Sequence, residues 1–235
     1  MNTPIDSTTE NVLNTVAEAI VSRRSVRAFL PTPIDKKQVY QILEIAARAP
    51  SGTNTQPWKV YALSGEAKDH LCEAVLTERE NQPEGAPEYS YYPKNWRDPY
   101  LARRRKVGWD LYGLLNIAKE DKQRMWAQFG RNYLFFDAPV GLIFTIDRDL
   151  EVGSWLDYGT FLQNIMIVAR GFGLDTCPQA SWISYPDTVA KILSLSKEEM
   201  VVCGMALGYA DPSKPEDSLI TSREPVDSFT QFSGF

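Results

Sequence analysis

The feature that most constrains the fold is an apolar run, VGLIFTI, at residues 140–146. A strand with apolar side chains at nearly every position is typical of a sheet that is covered on both faces. Residues 157–170 then have the length of a helix and carry apolar side chains almost all round it. Such a helix must be buried, either in the core or at a subunit contact. Together the two segments predict a sheet with helices packed on it.

The rest of the chain alternates between the two kinds of pattern. Apolar spacing and capping residues predict helices over 7–22, 36–49, 65–79, 101–118, 122–135, 157–170 and 186–195, and strands over 58–63, 140–146 and 200–210. A chain of 235 residues fits one domain better than two. We therefore predict a single α+β domain over residues 1–235, with the helices and the sheet in three layers.

Charge and cysteine content exclude several classes of partner. The 25 basic and 30 acidic side chains give a net charge of -5, which argues against nucleic acid. The three cysteines are widely spaced and form no CxxC pair, so we expect buried thiols in a reducing compartment and neither disulfides nor a metal site. The N-terminus resembles no export signal, and no apolar run is long enough to cross a bilayer. We expect a cytoplasmic protein without a membrane partner.

The chain contains one histidine, His70, on what reads as the polar face of a helix. Ser-His-Asp hydrolysis, Cys-His hydrolysis and most zinc sites would all have to use this residue. A surface role suits its surroundings better. If the protein is an enzyme, a bound redox cofactor is therefore expected to carry the reaction.

Two short segments are equipped to bind a ligand. Residues 22–27, SRRSVR, bring three guanidiniums and two hydroxyls together at the end of the first helix, a set that suits a phosphate. Residues 50–58, PSGTNTQPW, form a polar loop that could border a flat heterocycle. Each has a plainer interpretation. The arginines could complement a helix dipole in solvent, and the loop could be a simple connection.

The region over residues 81–136 is less regular. Between its prolines it concentrates five aromatic residues, Tyr89, Tyr91, Tyr92, Trp96 and Tyr100, in a spacing that suits neither helix nor strand. These rings could simply pack an irregular loop. Alternatively, they could form a lid over a flat ligand, because loops on a rigid scaffold often carry function.

The ordered set of motifs resembles the FMN-dependent nitroreductase family. The motifs are RRSVR at 23–27, AARAPS at 46–51, NTQPW at 54–58, DAPVG at 137–141, GFGL at 171–174, CPQA at 177–180, CGMALGY at 203–209 and REPV at 223–226. The resemblance implies a mixed, mainly antiparallel central sheet flanked by helices, in an intertwined homodimer. It also implies that residues 81–136 are a variable lid region and that residues 211–235 extend onto the partner subunit.

The resemblance further implies a site for FMN. Its expected cofactor-binding residues are Arg23, Arg24, Ser25, Arg27, Pro50, Ser51, Asn54, Pro178, Gln179, Ala180 and Arg223. Of these, the early arginines, Ser25 and Arg223 would bind the phosphate side, and Arg27 would lie toward the pyrimidine. The 50–54 loop would come from the neighbouring subunit, and residues 178–180 would lie beside the flavin ring. Many relatives carry a Glu-Gly pair near Gln179, so its side-chain role is open. From the lid, Tyr89, Tyr92 and Trp96 are expected to contact substrate.

The activity implied by the resemblance is a ping-pong reaction. NAD(P)H would pass a hydride through flavin N5 to a nitroaromatic compound, which is reduced to the nitroso, hydroxylamine or amine stage. No catalytic side chain is required, in agreement with the single histidine. The alternatives are reductive dehalogenation of halophenols, flavin binding without turnover, and binding of another phosphorylated ligand by the arginines.

Overall fold

The computed structural model describes residues 16–235. The helices are α1 Val16–Ser22, α2 Lys36–Ala46, α3 Gly65–Asn81, α4 Tyr100–Leu114, α5 Lys122–Gly130, α6 Val152–Gly171 and α7 Pro186–Leu193. The strands are β1 Lys59–Ser64, β2 Val140–Asp147, β3 Asp175–Gln179 and β4 Glu199–Gly208. The predicted start of the first helix, at residues 7–15, lies outside the described residues.

The four strands form one sheet in the order β1-β2-β4-β3, with every neighbouring pair antiparallel. A parallel element is added by a single bridge between Ser25 and Thr176, at the outer edge of β3. The helices pack on both faces of this sheet. The prediction of an α+β fold with a mainly antiparallel central sheet is therefore confirmed.

Strand β2 explains why the sheet has a helical layer on each side. Its successive side chains Ile143 and Phe144 are both buried, and they enter two different clusters. Phe144 packs with residues of α2 and α6, whereas Ile143 packs with residues of α3 and α7. Since adjacent residues of a strand point to opposite faces, an apolar run of this kind needs cover on both sides.

Two elements differ from the expectation. The helix predicted over 122–135 ends at Gly130, and a tight 3-10 segment follows, in which Phe135 and Phe136 adopt φ values of 50° and 53°. Both rings are buried, and the Phe135 ring occupies the space beside Gly141 where any side chain would clash. Burial of these rings thus overrides the local helical pattern.

Strand β3 is the second element that differs. The sequence pattern does not predict it, because Pro178 interrupts the run of strand-forming residues. The strand tolerates this proline because β3 lies at the edge of the sheet.

The single histidine and the cysteines lie where the sequence predicts. His70 is exposed on α3, and Cys72, Cys177 and Cys203 are buried thiols without disulfides. Among the helices of residues 16–235, none combines the length and the hydrophobicity needed to span a bilayer.

Candidate functional site

The arginine-rich segment, residues 23–27, is held between two parts of the sheet. On one side, the Val26 N–H donates to the Thr176 carbonyl at 3.1 Å, next to the bridge between Ser25 and Thr176. Just beyond the segment, residues 28–30 pair with residues 209–211, which follow β4. Backbone pairing therefore places the arginines beside β3, although about 150 residues separate the two in sequence.

Two of these arginines lie close to the start of the CPQA segment. Burial raises the pKa of the Cys177 thiol to about 11, and the guanidiniums of Arg27 and Arg23 partly oppose that rise. The Ser25 hydroxyl is hydrogen-bonded to the same thiol. The two motifs that the sequence analysis singled out, at 23–27 and 177–180, thus meet in the folded chain.

A third guanidinium comes from the C-terminal segment. Burial lowers the pKa of Arg23, and the nearby Arg223 guanidinium lowers it further. Among the described residues, Arg223 donates only to the neighbouring Thr221 and Ser222. Within residues 16–235, no salt bridge joins Arg23 or Arg223 to a carboxylate. Two cations that face each other without a counter-ion favour an anion between them.

Arg24 is used differently. One of its guanidinium nitrogens donates to the Asp217 carbonyl, and the other pairs with the Asp217 carboxylate at 2.8 Å. Both side chains are at least half-buried. The guanidinium of Arg24 is therefore already paired with a carboxylate, whereas those of Arg23 and Arg223 are in no salt bridge within residues 16–235.

Residues 178–180 form an outward-facing wall at the edge of the sheet. Pro178 is exposed and Ala180 is half-buried, but the Gln179 side chain is buried and turned into the protein. Its Nε2 donates to the Asn132 carbonyl at 2.7 Å, and its Oε1 accepts from Trp182 Nε1 at 3.4 Å. The segment can thus offer a ligand its backbone and the faces of Pro178 and Ala180, and not the Gln179 amide.

Two cavities open beside this wall. The larger has a volume of about 590 Å³, and its lining includes residues 178–180 and the lid residues 87–92. The smaller, of about 250 Å³, shares residues 178–180 and adds Trp155 and Leu162 from α6. Aromatic rings line part of both cavities, and the larger one adds polar side chains such as Glu88, Ser90 and Ser181, a mixture that suits a ligand site.

The three lid aromatics have different positions. Tyr89 is anchored across the sheet, because its hydroxyl donates to the Val202 carbonyl at 2.9 Å and its ring packs edge-on against Trp155. Tyr89 and Tyr92 both line the larger cavity. Trp96 lies behind Tyr92, with ring centroids 5.5 Å apart, and the Arg104 guanidinium stacks over it at 4.8 Å.

The polar loop at 50–56 packs on the opposite end of α6 from the arginines. The Gly52 N–H donates to the Asp157 carboxylate at 3.0 Å, and the Thr160 hydroxyl donates to the Pro50 carbonyl at 3.1 Å. Ser51 accepts a hydrogen bond from within the loop, and Asn54 adopts a left-handed φ of 62°. Ser22, the residue just before the arginine segment, instead accepts a hydrogen bond from Arg170, ten residues and about 15 Å further along the helix.

One further cation belongs to the cluster and was missed from the sequence. The Arg131 guanidinium donates to the Arg27 carbonyl at 3.3 Å and to the Asp137 carboxylate at 3.0 Å. Its Nε is buried and has no hydrogen-bond partner in the structure. Arg131 lies in the irregular region before β2, where no spacing marks it as a site residue.

Comparison with known proteins gives a consistent result. The sequence model of the nitroreductase family matches residues 20–209. A 4-nitrobenzoate reductase of Pseudomonas putida is 46% identical over 216 residues, which cover 92% of this chain and 94% of the relative. A nitrobenzene nitroreductase of Ectopseudomonas oleovorans is 41% identical over 218 residues, which cover 92% of this chain and 96% of the relative.

Solved structures agree with these sequence matches. The FMN and NADPH-dependent nitroreductase NfnB from Sphigopyxis sp. strain HMH superposes with a TM-score of 0.91 at 38% identity, over 94% of this chain and all of that one. The FMN-dependent nitroreductase NfnB from Mycobacterium smegmatis, solved in complex with NADPH, has a TM-score of 0.88 at 30% identity. The match covers 93% of this chain and 98% of that one.

The buried position of Gln179 leads to a pH-dependent prediction. In Gln179→Glu, a carboxylate would face the Asn132 carbonyl, to which only the protonated acid can donate. The folded-state pKa of the introduced carboxyl group should therefore rise above its unfolded value of about 4.3, and the stability present at low pH should be lost as the pH rises. We expect the variant to lose about 3 kcal/mol of unfolding free energy at pH 8, and much less at pH 5.

Urea unfolding at the two pH values measures this difference. Gln179→Leu is the matched control: it loses both hydrogen bonds at every pH, so its deficit in unfolding free energy should not change with pH. If Gln179→Glu loses the same unfolding free energy relative to the parent at both pH values, the inward orientation of this side chain is contradicted.

Proposed function

The chain belongs to the nitroreductase family, and from this premise we propose that it is an FMN-dependent enzyme that reduces nitroaromatic compounds with NAD(P)H. The observation that carries the proposal is the convergence of three segments that are distant in sequence. Arg23 lies near both Arg223 and Cys177, and the wall at 178–180 that follows Cys177 lines the aromatic cavities. The named relatives reduce nitroarenes, and the two NfnB proteins depend on FMN.

The residues present fit FMN. A phosphate dianion needs several donors, and the cluster offers Arg23 and Arg223 without carboxylate partners, together with the unpaired buried Nε of Arg131. We assign Arg23, Ser25 and Arg223 to the phosphate and ribityl side and Arg27 to the pyrimidine edge. The wall at residues 178–180, on the open edge of β3, is suited to the flat ring.

When bound, FMN supplies the hydride chemistry that links NAD(P)H to a nitro group. The chain's own residues have the tasks of binding, orienting and excluding water. Arg27 puts a fixed positive charge where negative charge would develop at the pyrimidine edge on reduction. Tyr89 and Tyr92 cover the cavity with rings on which a nitroarene can stack. Since the one histidine is exposed on α3, we assign no catalytic acid or base to a side chain.

We also propose that the active form is a homodimer. Only one stripe of α6 is buried in the single chain, namely Tyr158, Phe161, Ile165 and Ala169. Its other apolar positions remain partly exposed, and Val152 and Leu156 are 81% and 76% exposed. A second copy would cover this surface. The 50–54 loop, at the far end of α6, would then contribute Pro50, Ser51 and Asn54 to the partner's site.

The C-terminal segment supports the same arrangement. Residues 209–211 pair with the chain's own residues 28–30, but Phe229, Phe232 and Phe235 further on are exposed. Exposed phenylalanines at a chain end are suited to packing on a partner subunit. The three buried thiols without disulfides fit a reducing compartment, such as the cytoplasm.

The purified protein provides the direct test. We expect a yellow preparation with an absorption band at about 450 nm. This band should bleach when NADPH is added under argon and recover when nitrobenzene is added. Recovery with an iodophenol and not with nitrobenzene would favour the dehalogenase alternative. A yellow protein that does not bleach would support flavin binding without turnover. Protein that stays colourless after incubation with FMN would contradict the proposal.

Replacing Arg223 should weaken cofactor binding. Arg223→Ala removes one charge-assisted contact to phosphate, and we expect FMN to dissociate with a Kd about tenfold higher or more. Quenching of flavin fluorescence in a titration measures this Kd. Arg105→Ala, which removes an exposed arginine from α4, is the control and should bind FMN like the parent. If Arg223→Ala retains flavin equally well, Arg223 does not belong to the site.

The lining of the larger cavity predicts a preference for uncharged substrates. In the described part of the chain, it includes no Lys, Arg or His, and its carboxylate, Glu88, is already paired with Arg148 at 2.6 Å. A benzoate would have to lose hydration there without gaining a cation. We therefore expect kcat/KM for nitrobenzene to exceed that for 4-nitrobenzoate by about tenfold or more. Glu88→Gln should narrow this ratio, because it removes a negative charge and frees Arg148.

A further inference from the structure

We propose that Arg24 and Asp217 form a clamp that positions the C-terminal segment, so that Arg24 supports flavin binding through Arg223 and does not itself contact the phosphate. The effect on flavin rests on the function proposed above. The clamp itself is a property of the flavin-free chain, and it can be tested there.

The path of the chain shows why this pair has a special position. After β4, the chain runs antiparallel along the arginine segment: residues 209–211 pair with 28–30, Asp217 meets Arg24, and Arg223 approaches Arg23. In the described chain, the pair is the last hydrogen-bonded contact between the two segments before Arg223. Further along the segment, Leu219 is buried and Glu224 pairs with the exposed Arg103 of α4 at 3.1 Å, so the segment is tied to α4 as well as, through the clamp, to Arg24.

The surroundings of Arg24 also make it a poor phosphate ligand. Asp217 occupies two of its guanidinium nitrogens, and the Arg24 charge also acts on Asp175, which Arg170 pairs at 2.6 Å. Arg24 thus belongs to a network of alternating charges within the chain. The Asp217 side chain is 11% exposed, and its Oδ1 is buried without a partner, so Asp217 depends on Arg24 for its compensating charge.

The clamp and simple electrostatics predict opposite effects of Asp217→Asn on the affinity for FMN. Asp217→Asn removes a negative charge near a site for a phosphate dianion. If charge alone mattered, FMN would bind more tightly. If Asp217 holds the segment that carries Arg223, FMN should bind more weakly. We expect its Kd to rise about fivefold to tenfold in Asp217→Asn, and by a similar factor in Arg24→Met.

The double variant separates a positioning role from direct contact. For a shared clamp, Arg24→Met/Asp217→Asn should bind FMN about as weakly as Arg24→Met alone, because Arg24→Met already breaks the ion pair that Asp217→Asn removes. If Arg24 instead contacts the phosphate directly, Arg24→Met should weaken FMN binding by the same factor in the parent and in Asp217→Asn. Asp227→Asn, which removes an exposed acidic charge later in the same segment, is the matched control and should not weaken binding. Tight binding by Asp217→Asn would overturn the clamp.

Proteolysis of flavin-free protein tests the clamp without the cofactor. Trypsin can release residues 224–235 by cutting after Arg223, whereas Pro215 protects the bond after Lys214. We expect this fragment to appear at least several-fold faster from both single variants than from the parent and Asp227→Asn. Equal rates would overturn the clamp. A parent that shows the clamp by proteolysis but binds no FMN would instead contradict the proposed function alone.

Discussion

The site depends on backbone pairing that holds a cationic segment against the edge of a sheet. Guanidiniums repel one another, and Arg23 and Arg223 have no carboxylate between them in the described chain. Such a cluster persists only if other interactions fix it. Here the Val26 N–H bonds to Thr176, and residues 28–30 pair with residues 209–211, while Val26 and Phe29 are buried. The fold therefore stabilises an arrangement of charge that a bound anion would relieve.

The same edge of the sheet supplies the wall of the cavities. Beyond Thr176, β3 has no strand on its outer side in residues 16–235, and Pro178 is exposed there. An unpaired strand at the edge of a sheet can pair with the strand of another chain. Proline limits such pairing because it has no backbone N–H to donate. Behind the wall, Trp182 fills the space above Gly204 and donates its indole N–H to the Gln179 side-chain oxygen. A rigid support thus faces a lid that is anchored by the hydrogen bond of Tyr89 to Val202 and by the ion pair of Glu88 with Arg148.

How far the sequence predicts this structure depends on the range of the interactions. Strand β2 and helix α6 are predictable, because their apolar patterns are local and long. Strand β3 is not, since Pro178 and polar neighbours hide a strand that exists only through pairing with β4. The meeting of segments 23–27 and 177–180 follows from family resemblance and from no local pattern. The pairing of Arg24 with Asp217, 193 residues apart, has no signal in the sequence, and neither does the inward turn of Gln179.

The exposed surface and the incomplete site have one physical explanation. The single chain leaves Leu156 and Val152 of α6 exposed and holds its polar loop at the end of α6 away from the arginines. Either feature alone could be an ordinary surface. In the proposed homodimer, one contact would bury the apolar stripe and bring a loop to the cationic cluster. Dimer formation would then be a condition for a complete flavin site, and flavin affinity should depend on protein concentration wherever the dimer dissociates.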